Sequence, residues 1–99
     1  MNYSLRFLQT ARDDLIALHA WVEGETDAVI ADAYLERIEA RCWTLREFPD
    51  RGTPQDDLKA GVRSISFERR IIIFYRVRGS IVEVLRIVST AREHRTLLG

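Results

Sequence analysis

The stretch RRIIIFYRVRGSIVEVLRIVS, residues 69–89, predicts two β-strands joined by a tight turn at Gly79-Ser80. A two-residue turn fixes which side chains share a face, because successive residues of a strand point to opposite sides. Both faces then hold several large apolar side chains. One face carries Ile72, Phe74, Arg76 and Arg78 with Ile81, Glu83, Leu85 and Ile87, and the other carries Ile71, Ile73, Tyr75 and Val77 with Val82, Val84, Arg86 and Val88.

Two apolar faces raise the question of what covers the second one. Fully burying a large apolar side chain is worth about 1.5–3 kcal/mol, so leaving one face in water forgoes several times that amount. We expect the protein's own helices to cover one face and a partner chain to cover most of the other. The alternative is partial cover by the polar loop 49–61 and by Leu97 and Leu98. An unpaired edge strand offers an incoming peptide a further docking position.

The rest of the chain predicts an α+β domain over residues 1–99. Residues 3–8 alternate as a strand, and apolar side chains at helical spacing predict one helix from Thr10 to Gly24. A second helix runs from Thr26 or Asp27 to about Phe48, where Pro49 ends it. The expected fold is an N-terminal strand and an antiparallel helical hairpin packed on a mainly antiparallel four-stranded sheet. Its last three strands are 62–67, 70–78 and 81–88, with a turn at 68–69.

Composition excludes several classes of protein. The 99 residues contain no run of about 18 apolar residues that could span a membrane, and the N-terminus lacks a signal-peptide pattern. The single cysteine excludes an internal disulfide and a cysteine-rich metal site. No nucleotide-binding loop, zinc-ligand spacing or nucleophile elbow is present, so we expect no cofactor and no metal. A cytoplasmic protein is the simplest interpretation.

Charge is distributed unevenly along a chain whose net charge is zero. Residues 1–50 carry five arginines against ten acids, whereas residues 51–99 carry nine arginines and one lysine against five acids. One interpretation is that the two halves simply dock on each other. The other is that the arginines bind a charged partner, since arginine suits fixed contacts to carboxylate or phosphate. The candidate target-binding residues are Arg63, Arg76, Arg86, Arg92 and Arg95.

Within this set, Arg86 interrupts an apolar strand face and should meet a carboxylate, whereas Arg76 has a cross-strand partner in Glu83. The other reactive side chains favour structural roles. His19 lies at the boundary of a helix face, and Cys42 is expected to be a small core residue. His94 could act as an acid or a base, although no second histidine or acid pair lies near it.

Longer motifs resemble those of a known family. FPDRGTPQDDLKAGVRSI, IIIFYRV and VEVLRIVSTARE, with the helical stretches TARDDLIALHAWV and ADAYLERIEARCWTLREFP, resemble the ParE branch of the RelE/ParE toxins of bacterial toxin–antitoxin modules. The resemblance covers essentially the whole chain. It implies a compact α+β fold and a ParD-like antitoxin whose C-terminal segment wraps the toxin in a hetero-oligomer. The candidate antitoxin-binding residues are Leu15, Leu18, Val22, Tyr34, Ile38, Ile73, Tyr75 and Val84.

The resemblance leaves the activity open between two branches. ParE toxins are understood to block DNA gyrase, whereas RelE toxins cut messenger RNA on the ribosome. RelE-like enzymes resemble one another in a dense lysine–arginine surface and a tyrosine or histidine near the C-terminus. This chain has one lysine, Lys59, and no tyrosine after Tyr75, and Ser89 stands where many ParE-like chains carry histidine. We therefore expect a non-catalytic gyrase inhibitor that does not itself bind specific DNA sequences. The alternatives are a RelE-like ribonuclease and a non-toxic relic that still binds antitoxin.

Overall fold

The computed structural model describes residues 3–90, which form two helices and one five-stranded sheet. The sheet order is β1-β5-β4-β3-β2, with β1 parallel to β5 and every other pair antiparallel. This confirms the predicted α+β fold and adds one short strand, because Thr53–Pro54 pairs with Arg63 and Ser64. The elements are β1 Ser4–Phe7, α1 Gln9–Glu25, α2 Ala28–Trp43, β2 Thr53–Pro54, β3 Val62–Phe67, β4 Ile71–Arg78 and β5 Ile81–Ser89.

The two helices begin and end close to the predicted positions, with one difference in capping. Asp27 caps α2 as expected, since its carboxylate accepts a hydrogen bond from the backbone N–H of Ile30 at 2.9 Å. Helix α1 begins at Gln9, one residue before the predicted start at Thr10, and Leu8 caps it without a side-chain hydrogen bond. The α-helical part of α2 ends at Trp43, before the predicted limit, and continues as the 3₁₀ turn Thr44–Arg46.

A bulge in β5 changes the predicted faces of the hairpin. Arg76 lies opposite Glu83 as expected, but the register shifts between Phe74 and Tyr75, so Phe74 lies opposite Arg86 rather than Leu85. An extra residue in one strand reverses the direction of every side chain beyond it. As a result, Ile87 points into the core, where it is 4% exposed. Arg86 and Val88 join the outer face instead.

The helices cover the inner face of the sheet, and the core lies between the two layers. Its largest fully buried side chains are Tyr75, Ile38, Leu45, Ile71, Ile73, Val82, Val84 and Cys42. On the outer face, Ile72, Phe74 and Val88 are only partly exposed, and the charged residues Arg76, Glu83 and Arg86 share that face with them. In residues 3–90, the large apolar side chains most open to solvent are mainly on the helices and loops: Ile16, Val29, Ile30, Trp43, Phe48, Leu58 and Val77. The expectation that a partner must cover the outer sheet face is therefore not supported, and the helical hairpin becomes the better candidate surface.

Helix α1 also protects the edge of β5 beyond the end of β1. The Thr10 hydroxyl donates to the Leu85 carbonyl oxygen at 2.7 Å, and the Ile87 N–H donates to the Asp14 carboxylate at 2.9 Å. The Arg86 guanidinium binds both oxygens of the same carboxylate, at 2.7 and 3.0 Å. Two side chains of α1 thus replace the missing strand, which leaves this edge unavailable to an incoming peptide.

We predict that Asp14→Ala lowers the free energy of unfolding by about 2 kcal/mol, because it removes a charge-assisted bond to a strand N–H and the bidentate arginine contact. Urea denaturation measures the loss. Asp13→Ala is the matched control: its carboxylate accepts from the exposed Gln9 amide at 2.9 Å, and its removal should change stability by less than about 0.5 kcal/mol. Equal losses for the two variants would contradict the role given to Asp14.

Candidate functional site

A groove lies where the two helices meet at their connection, above the end of the sheet. It has a volume of about 470 Å³ and is here called the hairpin groove. Its polar rim includes Arg37 from α2 and Glu68 and Arg70 from the turn between β3 and β4. Its apolar wall consists of Leu18, Trp21, Val22, Ile30 and Tyr34.

Helical spacing explains why these apolar residues converge. Leu18 and Val22 lie one turn apart on α1, and Ile30 and Tyr34 lie one turn apart on α2, so each pair lies on one side of its helix. The Tyr34 ring packs against Phe67 of β3, with 6.1 Å between ring centroids. Ile30 at the mouth of the groove is 50% exposed. Leu18 and Val22 are only 2% and 8% exposed, so the open apolar surface of the groove comes mainly from its other wall residues.

An arginine that is paired with a carboxylate lies on one side of the groove. The Arg37 guanidinium donates to both Glu68 carboxylate oxygens, at 3.1 and 3.4 Å, and lies 5.3 Å from the centroid of the Tyr34 ring. Burial, with a further contribution from the Glu68 charge, raises the pKa of Tyr34 above its usual value. The phenol therefore stays neutral at physiological pH, and the groove floor remains suited to an apolar ligand.

The hairpin groove collects three of the residues predicted to bind an antitoxin, namely Leu18, Val22 and Tyr34. Leu15 packs partly buried against the core nearby. The remaining four, Ile38, Ile73, Tyr75 and Val84, are all 0% exposed and contribute to the core itself. They offer no surface to a partner in this structure. Sequence reasoning missed Trp21 and Ile30, although the helical spacing of Ile30 and Tyr34 was a usable signal.

Comparison with known proteins shows the family. The model of the ParE toxin of type II toxin–antitoxin systems matches residues 5–94. The chain belongs to the ParE toxin family. It is 29% identical over 94 residues to Toxin ParE1 of Caulobacter vibrioides, covering 95% of this chain and 96% of that protein. Membership also makes it a toxin of the type II toxin–antitoxin class, within the RelE/ParE superfamily.

Solved structures of similar fold agree with this assignment. The chromosomal ParDE system of P. aeruginosa superimposes with a TM-score of 0.79 at 24% identity, covering 88% of this chain and 95% of that one. The RelBE2 toxin–antitoxin complex of Mycobacterium tuberculosis matches with a TM-score of 0.62 at 26% identity, covering 90% and 99%. The fold described above is therefore shared with a ParDE system and with a RelBE2 complex.

In this ParE-family chain, the three described arginines that were predicted to bind a target have internal partners. Arg76 donates to Glu83 at 2.8 Å, and Arg86 binds Asp14 as described above. Arg63 donates to the carbonyl oxygens of Asp50 and Gly52, at 3.1 and 2.8 Å, and so anchors the loop before β2. The remaining two, Arg92 and Arg95, lie outside the described residues.

The Arg76–Glu83 pair predicts a pH dependence of stability. The hydrogen bond from Arg76, helped by the charges of nearby arginines, lowers the pKa of Glu83 below its usual value of 4.5. Ionised Glu83 therefore stabilises the fold above its unfolded-state pKa, and this contribution is lost as the pH falls through the lower folded-state pKa. We predict that wild type is more stable than Glu83→Gln, which keeps the acceptor oxygen, at about pH 6. The difference between their unfolding free energies should shrink as the pH falls to about 3. Thermal melts at each pH measure it, and a constant difference would contradict it.

The other reactive side chains that the structure describes, a histidine and the cysteine, contact groups within the fold. His19 bridges the helices through its Nε2, 2.7 Å from an Asp32 carboxylate oxygen. Cys42 is 0% exposed, and burial raises the pKa of its thiol to about 12, which confirms its predicted place in the core. His94 lies beyond residue 90. In residues 3–90, no helix is long and apolar enough to cross a membrane.

Proposed function

We propose that this ParE-family toxin inhibits DNA gyrase by binding it, and that a ParD-like antitoxin neutralises the toxin by covering the hairpin groove. The observation that carries the proposal is the family match over residues 5–94. Toxin and antitoxin form a hetero-oligomer in the cytoplasm. Gyrase is the target that the resemblance to the ParE branch implies.

The hairpin groove supports the antitoxin part of the proposal. It combines an apolar wall with Ile30, which is 50% exposed near the start of α2. Such a surface suits the apolar face of an amphipathic helix, which binds by placing side chains at helical spacing into a groove. The M. tuberculosis relative was solved as a toxin–antitoxin complex, which supports a peptide partner for this fold.

The arrangement of the arginines favours binding over RNA cleavage. Cleavage needs a group that activates the 2′-hydroxyl, stabilisation of the charge on the phosphate and a proton donor for the leaving oxygen. Arg63 and Arg86 stand at strand positions similar to basic residues of the ribonuclease branch, and both are engaged by loop carbonyls or by Asp14. Arginine stays protonated, so it cannot act as a general base.

Induction of the chain alone in a bacterium tests the proposal. Gyrase inhibition should stop growth, cause filamentation and induce the DNA-damage response, and co-expression of the antitoxin should restore growth. Mapping messenger RNA ends after induction distinguishes the ribonuclease alternative. Codon-positioned cuts that disappear in His94→Ala or Arg86→Ala would overturn the gyrase proposal.

A relic that binds antitoxin without toxicity is the second alternative. It predicts normal growth after induction of verified, folded chain, together with stable complex formation with the antitoxin. Harmless expression under those conditions would overturn the toxic function but not the antitoxin-binding surface.

A further inference from the structure

Part of β3 lies at an open edge of the sheet, beyond the end of β2. The Gln55 N–H donates to the Val62 carbonyl oxygen at 2.7 Å, which shows that the backbone groups of Val62 face β2. In an antiparallel strand these directions alternate, so the N–H and C=O of Ser66 face the same side. Strand β2 ends at Pro54, opposite Arg63, well before Ser66. Within residues 3–90, the Ser66 backbone therefore has no strand partner on that side.

A second groove runs beside this edge and is here called the edge groove. It has a volume of about 370 Å³ and lies between α2 and β3. Hydroxyl side chains of β2 and β3 and the amide side chain of Gln55 form much of its lining, and two guanidinium groups lie along it. The lining residues are Arg41, Arg51, Thr53, Gln55, Ser64 and Ser66, with Ile65 and Ile72.

In the part of the chain that the structure describes, the two arginines of this groove lack the carboxylate partners that Arg37, Arg76 and Arg86 have. Arg51 is held in place, since its Nη1 donates to the Thr44 hydroxyl at 3.1 Å and its guanidinium lies 5.4 Å from the centroid of the Phe48 ring. Among residues 3–90, neither Arg41 nor Arg51 has a carboxylate within 4.0 Å, whereas Arg37, Arg76 and Arg86 each do. These two positive charges are therefore available to an external anion.

An exposed aromatic side chain lies beside Arg51 of the groove. The Phe48 ring, against which the Arg51 guanidinium packs, is 58% exposed. Aromatic residues and arginine are enriched at the centres of protein–protein interfaces. A pre-positioned aromatic–arginine surface loses little side-chain entropy when a partner binds.

We propose that an extended, acidic segment of the toxin's protein target adds to β3 as a further strand, with its backbone on Ser66 and its carboxylates on Arg41 and Arg51. This rests on the proposed function and names the surface through which gyrase is bound. The open strand edge favours a peptide over a nucleic acid, because a phosphodiester chain has no amide groups to continue the sheet. The hairpin groove remains the antitoxin surface.

Binding to purified gyrase, with and without DNA, tests the proposal. The double variant Arg41→Glu/Arg51→Glu should bind DNA-free gyrase about 30-fold more weakly, since attractive pairs become repulsive ones. Its affinity for the antitoxin should remain within about twofold of wild type, which also shows that it is folded. Arg12→Glu/Arg69→Glu is the matched control, because it makes the same charge change at exposed positions outside both grooves, and it should bind gyrase normally.

Hydrogen exchange supplies a readout specific to strand addition. The Ser66 amide should exchange at least about tenfold more slowly when wild-type toxin binds gyrase, because it gains a hydrogen bond. Equal gyrase binding by wild type and the double variant, with no protection of Ser66, would overturn this proposal and leave gyrase inhibition intact. Absence of wild-type binding would overturn both. The double variant could instead bind only DNA-bound gyrase more weakly, and also bind a single-stranded oligonucleotide more weakly. That result would assign the surface to nucleic acid and overturn the acidic-peptide proposal.

Discussion

Ile30→Glu is expected to weaken antitoxin binding by about 100-fold, because it places an unpaired charge in the apolar mouth of the hairpin groove. The variant should remain folded. Ile30 is 50% exposed and occupies the third position of α2 after the Asp27 cap, where glutamate favours the helix. Titration of the labelled antitoxin measures the change. In cells, this toxin should remain active while its antitoxin no longer restores growth.

Ile16→Glu provides the matched control for that substitution. Ile16 is 68% exposed on α1 and is not part of the hairpin groove, so the same change there should leave antitoxin affinity within about twofold. Equal affinity for wild type and Ile30→Glu would place the antitoxin elsewhere. Equal losses at both positions would indicate a general effect of added negative charge.

Gly52→Ala is expected to cost about 2–4 kcal/mol of unfolding free energy and to lower Tm by about 10–20 °C. A Cβ at this position would overlap the Tyr75 hydroxyl and lie 3.0 Å from the Ser64 carbonyl oxygen. The Tyr75 hydroxyl donates to the Pro49 carbonyl oxygen at 2.7 Å and accepts from the Gly52 N–H at 2.9 Å. The added methyl group therefore breaks the contact that holds loop 49–52 against the sheet.

Tyr75→Phe tests the same contact without adding atoms. It should cost about 2–3 kcal/mol, because it leaves a buried N–H and a buried carbonyl oxygen unpaired. Gly24→Ala is the control: a Cβ added at this position in α1 would meet nothing within 4 Å, and alanine there should stabilise the fold by about 0.5–1 kcal/mol. If Gly52→Ala melted at the same temperature as wild type, the proposed anchoring of this loop would be wrong.

Local sequence patterns predicted the elements of the fold well but not the register of β5. The turn at Gly79-Ser80 was correct, since Arg78 pairs with Ile81. The turn predicted at Glu68-Arg69 is one residue longer, because Phe67 pairs with Ile71, and Glu68 and Arg69 both have positive φ angles. The bulge at Leu85 has no local signature. It becomes favourable only because α1 supplies Thr10 and Asp14 to the strand beyond it.

Periodicity did not separate core residues from residues that line the hairpin groove. Ile38 and Tyr34 lie on the same apolar stripe of α2, yet Ile38 is 0% exposed and Tyr34 lines an open groove. The sheet covers one end of this apolar stripe and leaves the other end open. Which end it covers depends on the position of the helices relative to the sheet, and this position is set by tertiary packing. The need of Arg86 for a carboxylate was predictable, but Asp14 lies 72 residues away and could not be chosen from sequence.

The edge groove was missed for a different reason. Sequence reasoning weighed the arginines of the strands and the C-terminal residues, where charge was densest. The pair Phe48-Arg51, three residues apart, was the usable signal for the stacking beside this groove.

A DNA supercoiling assay with purified gyrase tests the central claim most directly. We predict that wild-type toxin blocks the supercoiling of relaxed plasmid, and that an equimolar amount of antitoxin added beforehand restores it. Full supercoiling in the presence of excess folded toxin would contradict gyrase inhibition. Inhibition that the antitoxin fails to relieve would contradict neutralisation through the hairpin groove.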